Sequence, residues 1–253
     1  MLRNFSQTFQ HPISDIPYKV TVSIPDEKVP SEGFPALYVL DGNAYGTVFK
    51  EIVKLQWRRP EKTKVSPMVI VSIGYDFNEV FPPLRVYDFT PFSSTTSLPP
   101  RPDGTSWPAH GGAEGFLQFL EKVVQPFVYE KAPVHADNQI LFGHSLGGLF
   151  VLYTLFERPS LFNNYISCSP SIWWNECQIL TYERKGCLSP NRKLFIAAEK
   201  AKKMNMHDHA FALFERLKVS NPDCISFLSP AGENHMSIVP TILSEALRFM
   251  YSK

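Results

Sequence analysis

What this sequence lacks narrows the field first. No apolar run approaches the roughly 18 residues needed to span a bilayer. The opening Met1-Leu2-Arg3-Asn4-Phe5-Ser6-Gln7 has no apolar core of the kind a secretory signal carries. Cysteine is scarce: Cys168, Cys177, Cys187 and Cys224 form no Cys-x-x-Cys pair and have no histidine at zinc-finger spacing. In a chain of this size without a signal, reduced thiols in the cytoplasm are the expected state. Neither charge prevails, since 25 Lys and Arg against 24 Asp and Glu leave a formal net charge of +1. Nucleic acid and acidic membrane surfaces are therefore not expected as partners. No internal repeat or domain boundary is visible, so residues 1–253 are expected to form a single α/β domain with a substantial core.

What is present centres on Gly143-His144-Ser145-Leu146-Gly147-Gly148. The apolar run Gln139-Ile140-Leu141-Phe142 before it has strand length. The run from Leu149 to Phe156 after it has helix length and ends at Glu157-Arg158-Pro159. A Gly-x-Ser-x-Gly between strand and helix is a nucleophile elbow, a strained turn that lifts the serine oxygen above the sheet edge. The same pentapeptide arises by chance in glycine-rich loops, and the strand–turn–helix context argues against that here. Ser145 then sits at a helix N-terminus, where the Leu146 N–H is available to a developing oxyanion.

Around the elbow, strands and helices alternate. Phe5 to Gln10 and Tyr18 to Ile24 read as an opening antiparallel pair. Ala36 to Leu40 and Met68 to Gly74 are nearly all apolar, as parallel strands covered on both faces are. Further strands are expected at Tyr165 to Cys168, Lys193 to Ala198 and Cys224 to Leu228, with a closing amphipathic helix from Ile238 to Tyr251. The pattern predicts a mostly parallel sheet with helices on both faces and right-handed crossovers. From about 75 to 111 the chain becomes proline-rich, with Pro82, Pro83, Pro91, Pro99, Pro100, Pro102 and Pro108. This excursion is too long for an ordinary connection, and Phe81, Tyr87, Phe89, Phe92 and Trp107 favour a packed one that roofs a crevice.

A nucleophilic serine needs a base, and in an elbow fold the acid and then the histidine follow it in the chain. His235, in the polar loop Ala231-Gly232-Glu233-Asn234-His235-Met236 between the last strand and the last helix, is the expected base. His207 and His209 read as the solvated start of a helix, and His144 as pointing away from the nucleophile by adjacency. For the acid, three readings stand open. Glu199 directly follows a strand, Asp208 lies one loop further on, and a Ser–His dyad needs neither. The lysines Lys200, Lys202 and Lys203 give Glu199 a competing explanation as a surface carboxylate. The second oxyanion donor is expected from Asp41-Gly42-Asn43, through the Asn43 N–H, although these residues also make a plain turn. Each such donor typically contributes about 3 kcal/mol.

Assembled, these residues resemble the putative-esterase family of α/β-hydrolases, in the branch that contains siderophore trilactone hydrolases. The matching stretches run in family order: Leu37 to Asn43, Val71 to Tyr75, Arg85 to Pro91, Gly111 to Leu117, Gly143 to Gly148, Ser169-Pro170-Ser171-Ile172-Trp173-Trp174, and Gly232 to His235. One departure is Ala198-Glu199, where relatives often carry Gly-Glu. The resemblance implies an α/β-hydrolase fold and hydrolysis of a carboxylic ester by Ser145 and His235, with no metal or organic cofactor. The substrate it suggests is a small-molecule ester, first a ferric siderophore lactone. Arg85, Trp173 and Trp174 are expected to help bind such anionic rings by charge and position, with Arg85 alternatively tying the loop to Asp88 and the tryptophans alternatively packing the core and rim. A general short-chain carboxylesterase, an acyltransferase and a catalytically dead binding module are the alternatives. Family and sequence leave the acyl group and the oligomeric state open.

Overall fold

In the computed structural model, which describes residues 2–101, 104–184, 186–200 and 203–251, the chain opens with the antiparallel strands β1 (Leu2–His11) and β2 (Ser14–Pro25). Then come β3 (Phe34–Val39), the helices α1 (Gly42–Gln56) and α2 (Pro60–Thr63), and β4 (Val69–Tyr75). Helix α3 (Leu84–Phe89) stands alone, whereas α4 (Ala113–Phe119) runs through a π turn at Leu120–Val124 into α5 (Gln125–Lys131). Strand β5 (Val134–His144), helix α6 (Leu146–Glu157) and strand β6 (Asn164–Cys168) form the middle, followed by the single turn α7 (Trp174–Cys177). Strand β7 (Lys193–Ala197), helix α8 (Met206–Lys218), strand β8 (Ile225–Leu228) and helix α9 (Ile238–Tyr251) follow.

Among the described residues, eight strands join one sheet in the order β1-β2-β4-β3-β5-β6-β7-β8. Every pairing from β4 to β8 is parallel, and only β1 with β2 and β2 with β4 are antiparallel. Side chains alternate between two cores, as the period of two requires. Ala36, Tyr38 and Leu40 turn toward the face covered by α3 to α6, whereas Leu37 and Val39 turn toward α1 and α9. Fully burying one such aliphatic or aromatic side chain contributes about 1.5–3 kcal/mol. Helix α6 is apolar all round because it is buried all round; every residue from Leu146 to Phe156 is inside. Among the described residues no helix is long and apolar enough to cross a membrane.

The proline-rich excursion is held at both ends. At its base, the fully buried Asp88 on α3 accepts hydrogen bonds from the Tyr18 hydroxyl (2.8 Å) and the Tyr75 hydroxyl (2.6 Å), with His11 Nε2 at 3.2 Å. Further along, the Ser97 N–H donates to Asn175 Oδ1 (2.7 Å), the Ser97 hydroxyl to Glu176 Oε1 (2.8 Å), and Gln178 Nε2 to the Phe92 carbonyl (2.7 Å). Asn175, Glu176 and Cys177 all have positive φ, an uncommon run for non-glycine residues, which shapes α7 to receive the excursion. Pro102 lies outside the described residues.

Candidate active site

Ser145 stands between β5 and α6 with φ 60° and ψ −117°, a backbone conformation few non-glycine residues adopt. Its neighbours make the turn possible. A Cβ on Gly143 would lie 2.2 Å from the Gly147 carbonyl oxygen, and one on Gly148 would lie 2.8 Å from the Cys168 carbonyl oxygen. Parallel pairing of β5 with β6 sets Gly143 beside Ser167 and His144 beside Cys168, and the Ser145 N–H continues it by donating to the Cys168 carbonyl at 3.0 Å. The result is a partly exposed serine on an otherwise buried turn.

Three side chains from three loops at the C-terminal edge of the sheet meet there. Ser145 Oγ lies 3.1 Å from His235 Nε2, and His235 Nδ1 lies 2.9 Å from Glu199 Oε1. A carboxylate only accepts, so Nδ1 carries the proton, and Nε2 is left to accept from the Ser145 hydroxyl. Glu199 follows β7 and is 1% exposed. Burial drives its carboxyl up, but hydrogen bonds from His235, from Ser169 and from its own backbone outweigh that and hold it at about 2. Asp208 is elsewhere: its carboxylate is 81% exposed and pairs with His207 at 3.1 Å. His209 Nε2 sits 4.0 Å from Cys177 Sγ. The lysines after Glu199 leave it in the interior; Lys200 is exposed and Lys202 lies outside the described residues.

Three expectations are corrected. Arg85 extends neither toward open solvent nor to Asp88. Its Nε and Nη2 donate to Asp41 Oδ1 and Oδ2 at 2.7 and 2.8 Å, and both side chains are almost wholly buried. The reason is geometric: Asp41 has φ 51° at the start of α1, and its carboxylate lies beside Gly147 of the elbow, within reach of the long Arg85 side chain from α3. Trp174 is 2% exposed and packs edge-on against Trp107 at 5.0 Å, so it supports the excursion from within; Trp173 remains partly exposed. His144 turns toward the site: its ring lies 4.5 Å from that of His235, and its Nδ1 is 2.9 Å from the Tyr45 hydroxyl.

The expected second oxyanion donor, Asn43, is at the start of α1, and its side chain pins that end of the helix to β4. Asn43 Oδ1 accepts from the Tyr75 N–H at 2.8 Å, and Nδ2 donates to the Tyr75 and Phe77 carbonyls at 2.9 and 2.8 Å. Sequence reasoning gave no role to Ser169 or Ser171, both buried. The Ser169 hydroxyl donates to Glu199 Oε2, and Ser171 Oγ lies 3.4 Å from Ser145 Oγ. A serine before a proline at a strand end reads as an ordinary turn, so nothing local could have marked them.

Known proteins share this arrangement of elements. The family model described as Putative esterase matches residues 13–211. Ferri-bacillibactin esterase BesA of Bacillus subtilis (strain 168) is 42% identical over 242 residues, covering 92% of this chain and 84% of its own. Among solved structures, the BES protein from Bacillus cereus has a TM-score of 0.88 at 37% identity, covering 99% of this chain and 96% of the other. Siderophore hydrolase EstA from Aspergillus nidulans has a TM-score of 0.83 at 29% identity, covering 98% and 94%.

Proposed function

The chain belongs to the Putative esterase family, with the α/β-hydrolase fold and the ester-hydrolase activity of its relatives, and from that premise we propose that it opens siderophore lactones in their ferric form through Ser145. The observation that carries this reading is the unbroken hydrogen-bonded chain Glu199–His235–Ser145, with its serine end partly open to solvent. His235 Nε2 takes the Ser145 proton as Oγ attacks the ester carbonyl. The N–H groups of Leu146 and Asn43 hold the oxyanion, and Glu199 stabilises the imidazolium through Nδ1–H. His235 then returns the proton to the leaving alkoxide, and an acyl-enzyme remains. Water, activated by the same nitrogen, releases the acid in the second half-reaction.

The substrate class rests on relatives whose names specify bacillibactin and other siderophores. Incubation with ferric and iron-free trilactone siderophores, followed by chromatography, tests it directly. Linear hydroxy-acid products from the wild type and none from Ser145→Ala are the expected result. A second reading, a general short-chain carboxylesterase, draws support from Arg85, whose charge is spent on Asp41 and not offered to an anionic ligand. Rapid hydrolysis of aryl esters with siderophores left intact would establish that reading in place of the first.

A further inference from the structure

We propose that Ser169 is a positioning residue of the triad, its hydroxyl gripping the carboxylate oxygen of Glu199 that His235 leaves free; this rests on the triad reading above. Ser169 ends the run of β6 with φ 43°, in the left-handed region that side-chain-bearing residues rarely enter. Two contacts hold it there. Its N–H donates to the Ala197 carbonyl at 2.6 Å, tying the turn to the strand that Glu199 follows, and its hydroxyl donates to Glu199 Oε2. Two residues on, the Ser171 N–H donates to the Ser145 carbonyl at 3.1 Å and the Ser171 hydroxyl approaches Ser145 Oγ. Pro170, with its fixed φ, separates the two serines. The Ser-Pro-Ser turn therefore touches the acid at one end and the nucleophile at the other, and both hydroxyls are buried.

A buried carboxylate is useful to His235 only if it stays charged and does not rotate. His235 supplies one donor, to Oε1, and Ser169 supplies the other side-chain donor among the described residues, to Oε2. With both oxygens engaged, the carboxylate plane is set and Nδ1–H has one direction in which to point. The other groups acting on Glu199 do not replace this. His144 is buried and neutral, and the Cys168 thiol is pushed up by burial and stays protonated. Without the Ser169 hydroxyl, burial acts on the carboxyl with one fewer opposing hydrogen bond, so protonation sets in at higher pH.

The test uses the full chain and a neutral aryl ester, so that it does not depend on the siderophore assignment. Ser169→Ala removes the hydroxyl, and Ser169→Gly removes it while relieving the left-handed backbone. Both are expected to lower kcat about 10- to 100-fold, the usual effect of losing a group that orients a functional side chain from behind. KM should stay within about twofold, and the acid limb of the kcat/KM profile should move to higher pH. In a Glu199→Gln background, Ser169→Ala should cost nothing further, because it acts through that carboxylate. Recovery of wild-type turnover in Ser169→Gly would assign the effect to the backbone and overturn the proposal, as would an additive loss in the double variant. Should Ser169→Ala fail to fold, Ser169→Cys, with its weaker donor, is read by the same criteria. A Ser145→Ala variant that still turns over the ester would instead sink the triad reading itself.

Discussion

The imidazole of His144 lies against that of His235, with centroids 4.5 Å apart and planes inclined by 41°. His144 is 2% exposed, hydrogen-bonded at Nδ1 to Tyr45, and lowered to about 3 by burial, with His235 and Arg85 adding to the effect. It is therefore a neutral wall behind His235 at any working pH and never a competing cation. His144→Ala should open a cavity there and let the His235 ring turn away from Ser145. A fall in kcat of about tenfold or more with KM nearly unchanged is the expected outcome, since small misplacements of a catalytic group are costly. Steady-state kinetics on an aryl ester decides it, and His144→Phe, which keeps a flat ring, should recover part of the loss.

Ser145→Ala and His235→Ala should each abolish turnover to a similar degree, on the order of 10⁴-fold or more, because members of such a unit are not additive. Organophosphate labelling followed by intact mass should mark the wild type and leave Ser145→Ala unmodified. Unchanged thermal melting in Ser145→Ala would show that the loss is chemical.

Glu199→Gln should lower kcat by about 10²- to 10⁴-fold, because an amide can support the wrong tautomer of its histidine. Asp208→Asn should leave it unchanged, since that carboxylate is exposed and paired with His207. The depressed Glu199 carboxyl also has a stability consequence. Its contribution is fully present above the ordinary value of 4.5 and is lost as pH falls toward about 2. Acid unfolding followed by circular dichroism should therefore show a smaller slope over that window in Glu199→Gln.

Arg85→Ala should act on stability first. Asp41 would be left buried without its cation, a loss of about 3–5 kcal/mol in comparable pairs. Urea unfolding measures it. Any effect on KM should be the same for anionic and neutral esters; a loss confined to anionic substrates would contradict the buried pairing with Asp41.

Gly143→Ala should not accumulate as folded protein, because the new methyl group would meet the Gly147 carbonyl at 2.2 Å in a turn with no room to shift. Gly115→Ala, where a Cβ meets nothing within 4 Å, is the matched control. Soluble yield and melting temperature of the pair provide the check.

Much of this was legible in the sequence because it is local. Apolar runs of strand length, helical spacing and the glycines of Gly143 to Gly148 determine the element order and the elbow through contacts a few residues apart. His235 was legible too, since a polar loop after the last strand must open at the sheet's C-terminal edge. Which side chains meet was decided by tertiary structure. Glu199 reaches His235, and Asp208 does not, because β7 lies beside β6 and the chain just beyond it carries Glu199 into the interior, whereas Asp208 lies on the exposed side of α8. Arg85 pairs with Asp41, 44 residues away, and not with Asp88 on its own helix, because α3 turns the two side chains toward different neighbours. Trp173 and Trp174, adjacent in sequence, part company at the rim because Trp107 covers only one of them fully. Ser169 meets Glu199 because β6 and β7 pair up to the residues just before them, and its hydroxyl completes the contact. Sequence spacing encodes the path of the backbone; strand register and the packing of distant loops select the partners at its ends.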